Sequence, residues 1–320
     1  MRLPVVRTVL GDVRSSDLGV CNYHEHLFQA SPLLEGDDLA DESLSGAEAR
    51  MLRHAGTKTV VESTPSGLGR NPAGVARISH QTGLHVVHVT GTHRDEHYSP
   101  DHWLTSCSED DLVRRFTSDV QVGLPETDLP DRGSFAIGPT GVPVRAGMVK
   151  AGVGYWRISS FERRGLNAAA RVALETGVPV MVHLEYGSAA WEVLAALEEA
   201  GMPAGRVVLA HVDRNLDPGL HAELTMAGAY LGYDGVARYR EASDSAILQC
   251  LEDVLAHGDP TRVVLGGDVA RSTRYRAYGG MPGLDYLQKR FVPRLRDRIG
   301  TELTDQLLVD NPAELLRLAK

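Results

Sequence analysis

Residues 21–28 read CNYHEHLF and set two histidines, His24 and His26, one residue apart after an apolar run. Imidazoles ligate zinc and similar divalent ions, and they carry protons near neutral pH. In an extended strand, residues i and i+2 point to one side. Both rings can therefore face one point, as a metal requires, with Glu25 turned the other way as a barrel-wall residue. One such pair alone equally suits a satisfied polar network. Four further residues change that balance. Lys150, His183, His211 and Asp268 stand on or at the end of the runs AGMVKAG, VPVMVH, RVVLAH and RVVLGGD. Four neutral imidazoles and a carboxylate suit zinc or a similar first-row divalent ion. A lysine ammonium cannot ligate, but a lysine whose pKa is lowered near cations can lose its proton. It can then react with carbon dioxide, and the carbamate is an anionic two-oxygen ligand able to bridge two metals. Two bridged metals would bring the pKa of a shared water from about 15.7 toward about 7.

These residues need an architecture that gathers strand ends. Eight short β-rich runs recur: LGVCNYH, TKTVVEST (57–64), LHVVHVTGTH (84–93), AGMVKAG (146–152), VPVMVH (178–183), RVVLAH (206–211), AYLGYD (229–234) and RVVLGGD (262–268). They are apolar on both faces, as buried parallel strands are. Helical patterns lie between them over 167–177, 189–201 and 244–258, several ending in Gly. Eight strands alternating with helices predict an α/β fold, a (β/α)₈ TIM barrel, with residues 1–320 forming one domain. Such a barrel keeps its chemistry at the C-terminal ends of its strands, where these six residues fall. Residues 94–145 are too long for an ordinary loop and are read as an insertion after the third strand. A helix is expected within it over 108–123, with the remainder capping the barrel mouth and His97, Tyr98 and Trp103 as candidate pocket residues.

Composition is ordinary for a globular protein. The chain has 320 residues, 42% hydrophobic and 23% charged, which is enough for a large core. A net charge of −9 argues against a nucleic-acid partner bound through broad phosphate contacts. Cys21, Cys107 and Cys250 are few and widely spaced, which fits a reducing compartment rather than a disulfide framework. The first residues lack a signal-peptide core, and no apolar run approaches the roughly 20 residues that span a bilayer. The expectation is a cytoplasmic protein with a small-molecule substrate, no membrane partner, and a homodimer as the assembly to test.

His-x-His after the first strand, Lys on the fourth, His on the fifth and sixth, and Asp on the eighth resemble the phosphotriesterase family of the amidohydrolase superfamily. The resemblance runs from TVLGDVRSSDLGVCNYHEHLF to LLVDNPAELLRLA. It implies that His24, His26 and Asp268 hold the more buried of two divalent metals, most often zinc. His183 and His211 would hold the exposed one, and a carboxylated Lys150 would bridge the two. Asp268 would also take the proton from the bridging hydroxide as it attacks. GGDVARSTRYRAYGGMPGLDYL (266–287) is similar to the loop of the sugar-lactone branch, where an arginine three residues after the metal Asp contacts phosphate. Arg271 holds that place, and Arg240 after the seventh strand is a second basic candidate. Thr92-His93 replaces the aromatic pair many relatives carry after the third strand, which makes His93 a candidate substrate contact. His211-Val212-Asp213 keeps the family's His-x-Asp, but Gly235 stands where triesterases place a histidine. That departure disfavours a triesterase proton relay. The function expected is a binuclear hydrolase that opens a lactone or related ester bearing a phosphate or carboxylate. The alternatives are a phosphotriesterase and a non-catalytic binding protein on the same barrel.

Overall fold

The eight apolar runs pair edge to edge in chain order in the computed structural model, which describes residues 3–238 and 240–319. A hairpin comes first, β1 (Val5–Thr8) against β2 (Gly11–Arg14). The parallel barrel strands follow as β3 (Cys21–Glu25), β4 (Thr59–Glu62), β5 (His85–Gly91) and β6 (Ala146–Val153). β7 (Val180–Leu184), β8 (Val207–Ala210), β9 (Tyr230–Tyr233) and β10 (Val263–Leu265) complete the set. The ring closes where the amides of Gly267 and Asp268 donate to the His24 carbonyl, at 3.3 and 3.0 Å. Closure is thus made by residues that carry the candidate chemistry.

Alternation along the strands decides what meets inside. In β7, Val180, Val182 and Leu184 join the core between sheet and helices, whereas Met181 joins the barrel interior. Two residues past Met181, His183 inherits the inward face. By the same parity Met148 and Lys150 of β6 face in, while Val149, Ala151 and Val153 face the helices. The first barrel strand is the exception. Its pairing with β4 shifts register between Asn22 and Glu25, and such an irregularity re-aims side chains. Tyr23 and His24, neighbours in sequence, both reach Asp234. Tyr23 crosses the interior only because Gly232 has no side chain, since a Cβ there would stand 1.8 Å from the phenol oxygen.

The helices start where their caps dictate. α1 (Glu42–His54) is capped by Asp41 and α2 (Pro72–Thr82) by Asn71. α3 (Glu109–Gln121) and α4 (Ser160–Thr176) each open on a reciprocal capping box, Ser108 with Asp111 and Ser159 with Glu162. The 167–177 pattern therefore belongs to a helix that begins seven residues earlier. α5 (Ala190–Glu199), α6 (Pro218–Met226) and α7 (Asp244–His257) follow, with C-terminal helical segments to Leu316. α3 packs on α4, β5 and β6, so it is the barrel's ordinary third helix. Of residues 94–145, Arg94, Glu96 and His97 reach the barrel mouth. Tyr98 is buried in the core and Trp103 packs against it beneath the Arg115 guanidinium. The stretch after α3 forms small antiparallel bridges, Pro125 with Phe135 and Ile137 with Pro143.

Candidate active site

A cavity of about 380 Å³ opens at the C-terminal ends of the strands. His24, His26, Lys150, His183, His211 and Asp268, read from the sequence as one constellation, all line it. Each is at most 6% exposed. His211 and Asp268 adopt left-handed backbone, with φ of 66° and 40°. Such conformations cost of order 1–3 kcal/mol in a non-glycine residue and persist where surrounding structure imposes them.

Hydrogen bonds settle the imidazole tautomers. Asp234 is fully buried, and its oxygens lie 3.0 Å from His24 Nδ1 and 2.6 Å from His211 Nδ1. Burial alone would push this carboxyl up, but His211 and His24 beside it hold it below the usual carboxylate range. An ionised carboxylate only accepts, so both Nδ1 atoms carry hydrogen and both Nε2 atoms keep a lone pair. The Tyr23 hydroxyl also donates to Asp234. His26 Nδ1 lies 2.7 Å from Thr64 Oγ1, whose single hydrogen goes to the Phe28 carbonyl. His26 must therefore donate from Nδ1 and keep Nε2 basic. His183 Nε2 meets Glu185 Oε2 at 2.9 Å, which leaves Nδ1 as its basic nitrogen. Burial pushes His26 and His211 down to about 3 and His183 well below the ordinary value, so these rings are neutral.

Asp268 faces two ways. Its Oδ1 lies 3.5 Å from His26 Nε2 and 3.8 Å from His24 Nε2, and that His24 nitrogen is buried without a hydrogen-bond partner. The other oxygen receives Arg238 and, at 3.0 Å, Arg214. Burial raises this carboxyl, but Arg238 and the nearby histidines outweigh it and hold it well below its usual range. His24, His26 and Asp268 thus offer three donor atoms within 4.8 Å of one another, the arrangement a divalent cation fits. His24, His211 and Asp234 form a second such group, but the Asp234 oxygens are already engaged by the two Nδ1 hydrogens. Lys150 is 1% exposed and donates to the Ser63 carbonyl at 2.8 Å. Burial lowers its ammonium to about 8 against the pull of Asp268, Asp234 and Glu62. A lysine so shifted holds more neutral amine near neutral pH than a solvated one, and a carbamate would retain one N–H for Ser63.

The substrate side is less evenly anticipated. His93 lines the cavity and its Nδ1 accepts from the Arg94 amide at 2.9 Å, so the neutral ring carries its hydrogen on Nε2. It is a donor rather than a ligand. Arg271 lines the cavity rim, 44% exposed, with Asp37 3.4 Å away. Arg240 instead lines an adjoining cavity of about 880 Å³. Arg214 and Arg238, which sequence reasoning passed over, are nearest the candidate chemistry. Both also meet Glu241, at 3.3 and 3.9 Å. Arg214 follows His211 by three residues, and that spacing was the available signal. Asp213 accepts from the Gly235 amide at 2.7 Å, and burial raises its carboxyl to about 8. A Cβ on Gly235 would meet that carboxylate at 3.1–3.2 Å.

With this geometry in view, the likeness to known proteins is informative. The phosphotriesterase family model matches residues 4–316. A phospho-furanose lactonase of Mycoplasmopsis agalactiae is 29% identical, over 97% of this chain and 91% of the relative. An N-acetyltaurine hydrolase of Danio rerio is 28% identical over 97% of each chain. Among solved structures, a lactonase from Listeria monocytogenes superposes with a TM-score of 0.89 at 29% identity, covering 99% of this chain and all of that one. The phosphotriesterase homology protein of Escherichia coli, complexed with phosphate in its active site, gives 0.82 at 25% identity, covering 93% and 99%. The chain is a (β/α)₈-barrel hydrolase that belongs to the phosphotriesterase family.

Proposed function

We infer that this barrel, acting as one domain, is a binuclear metal-dependent hydrolase of lactones or related esters that carry an anionic group. The observation that carries the reading is the convergence of His24 Nε2, His26 Nε2 and Asp268 Oδ1, with the first buried and unpartnered. His24, His26 and Asp268 would hold one ion and His183 and His211 the other, with a carboxylated Lys150 between them. Zinc or a similar ion, when bound, would supply Lewis acidity and a low-pKa water. The remaining work falls to the chain. Hydrolysis forms a bond from water oxygen to the acyl carbon and breaks the acyl–oxygen bond. Asp268, ionised and fixed by Arg214 and Arg238, takes the water proton and returns it to the departing alkoxide. His93 Nε2–H can orient an oxygen of the substrate. Arg214, Arg238 and Arg271 supply positive charge for an anionic substituent, since guanidinium forks fit phosphate and carboxylate. The names of the relatives agree: phospho-furanose and N-acetyltaurine both denote anionic molecules. Neutral phosphotriesters would gain nothing from these arginines. The test is metal analysis of gently purified protein beside a lactone panel. About two ions per chain and turnover of an anionic lactone are expected, with Lys150→Ala losing most of both the second ion and the activity. One tightly held ion and unchanged turnover in Lys150→Ala would overturn the reading.

A further inference from the structure

Beside the catalytic cavity lies a second one of about 590 Å³, lined by Tyr155, Trp156, Tyr186, Ser188, Arg214 and Asn215. The three aromatics are 61%, 62% and 53% exposed, although rings of this size normally contribute their area to a core. Two of them stand on left-handed backbone, Trp156 with φ 49° and Tyr186 with φ 52°. Each such residue costs roughly 1–2 kcal/mol, so exposure is held here against two penalties. Local bonds impose it. The Trp156 amide donates to Ser188 Oγ at 3.0 Å, and that hydroxyl donates to the Glu185 carbonyl at 2.7 Å. The turn after β6 is thereby tied to the turn after β7, and Tyr155 and Tyr186 meet edge to face at 6.0 Å between ring centres. Tyr186 and Arg214 line both cavities.

We propose that Tyr155, Trp156 and Tyr186 form a second substrate subsite that stacks a sugar ring attached to the lactone. The proposal rests on the lactone-hydrolase reading and names a larger substrate for it, a glycosylated sugar lactone. Continuity with the catalytic cavity makes the occupant part of the same substrate. The chemistry of the lining selects a sugar. A pyranose or furanose presents C–H groups on its faces, which rest on aromatic rings, and hydroxyls on its edge, which Asn215 and Arg214 can meet. A purely apolar substituent would call for enclosed apolar walls.

The test uses the metal-loaded full chain, with a monosaccharide lactone and the corresponding disaccharide lactone as probes. Trp156→Gly removes the ring and suits the positive φ, so the fold is retained and melting should stay within about 3 °C of wild type. The disaccharide lactone should be preferred by wild type, and Trp156→Gly should lose roughly tenfold in kcat/KM on it alone. Titration with maltose, which has no ester to hydrolyse, should quench Trp156 fluorescence saturably in wild type and not in Trp156→Gly. Equal losses on both lactones, or no saturable quenching, would overturn the subsite. Conversion of a dimer to a monomer by Trp156→Gly in light scattering would also overturn it, because the rings would then cover a second copy. Saturable quenching without turnover of either lactone would instead sink the lactone-hydrolase reading and leave the sugar site standing.

Discussion

Asp234 touches no substrate in this arrangement, yet it fixes the tautomers of two candidate ligands. Its oxygens accept from His24 Nδ1 and His211 Nδ1, with the Tyr23 hydroxyl as a third donor. Partners of this kind orient imidazole ligands and raise their basicity, and their loss typically costs 10–100-fold in metal affinity. Asp234→Asn keeps the shape but offers one acceptor oxygen where two are used, so one imidazole would face an amide N–H. Metal affinity measured by chelator competition is expected to fall roughly 10–100-fold, while the folded state survives by circular dichroism. An unchanged affinity would mean that Asp234 is only a barrel-interior hydrogen-bond acceptor. At this scale the sequence was most legible where chemistry follows strand ends. His24, His26, Lys150, His183, His211 and Asp268 converge on one cavity, as their spacing from apolar runs anticipated. Arg214 and Arg238 were hidden because their role depends on loop backbone that folds back over Asp268. No periodicity records such a fold-back.

The loop after β10 is held by a buried acid on the first barrel strand. Glu25 accepts from the Val269 amide and from Asn22 Nδ2, both at 3.0 Å, and so anchors the segment that begins with Asp268. Burial raises its carboxyl from 4.5 to about 8, and those two bonds only partly offset that rise. A carboxyl raised on folding binds more protons in the native state than in the unfolded chain between those two values. Its stabilising contribution is therefore complete below about pH 4.5 and is lost as pH rises through about 8. For metal-free protein, wild-type unfolding free energy should decline across that window relative to Glu25→Gln. The difference in slope should approach about 1.4 kcal/mol per pH unit. Urea titrations at pH 6, 7 and 8 would read it, and parallel slopes in the two proteins would place the titration elsewhere. Elements themselves were largely readable: all eight strands lie within the predicted runs or run over them by one residue. The helix over 167–177 was cut short because the apolar pattern marks its buried face, whereas Ser159 and Glu162 set its start. The 94–145 stretch looked like an insertion because the barrel's third helix, α3, is flanked by irregular chain on both sides.

Arginines gather at the cavity mouth of an acidic molecule. The chain carries −9 overall, while the cavity mouth sets Arg94, Arg214, Arg238 and Arg271 beside Glu96, Glu185 and Glu241. Among the described residues, no helix is long and apolar enough to cross a membrane. In such a mixed cleft each arginine's pull on an anion is tempered by its carboxylate partner, and what remains fades as salt shortens the Debye length. An acidic exterior meanwhile repels anions that approach elsewhere. Composition revealed the overall sign, but only the folded chain assembles these arginines, because they come from turns after four different strands. Arg271 is the arginine to perturb, since it holds no bond to Asp268 and its carboxylate partner, Asp37, lies outside the cavity lining. Its pairing with Asp37 at 3.4 Å is partly solvated, which limits its worth. Arg271→Met should lower kcat/KM for an anionic lactone by about 0.5–1.5 kcal/mol and leave a neutral lactone nearly unchanged. Raising the salt from about 0.05 to about 0.5 M should reduce the same rate constant for the anionic substrate in wild type, and by less in Arg271→Met. Equal losses on charged and neutral substrates would make Arg271 a loop support that works through Asp37. The arginine mouth would then have no claim to recognising an anion.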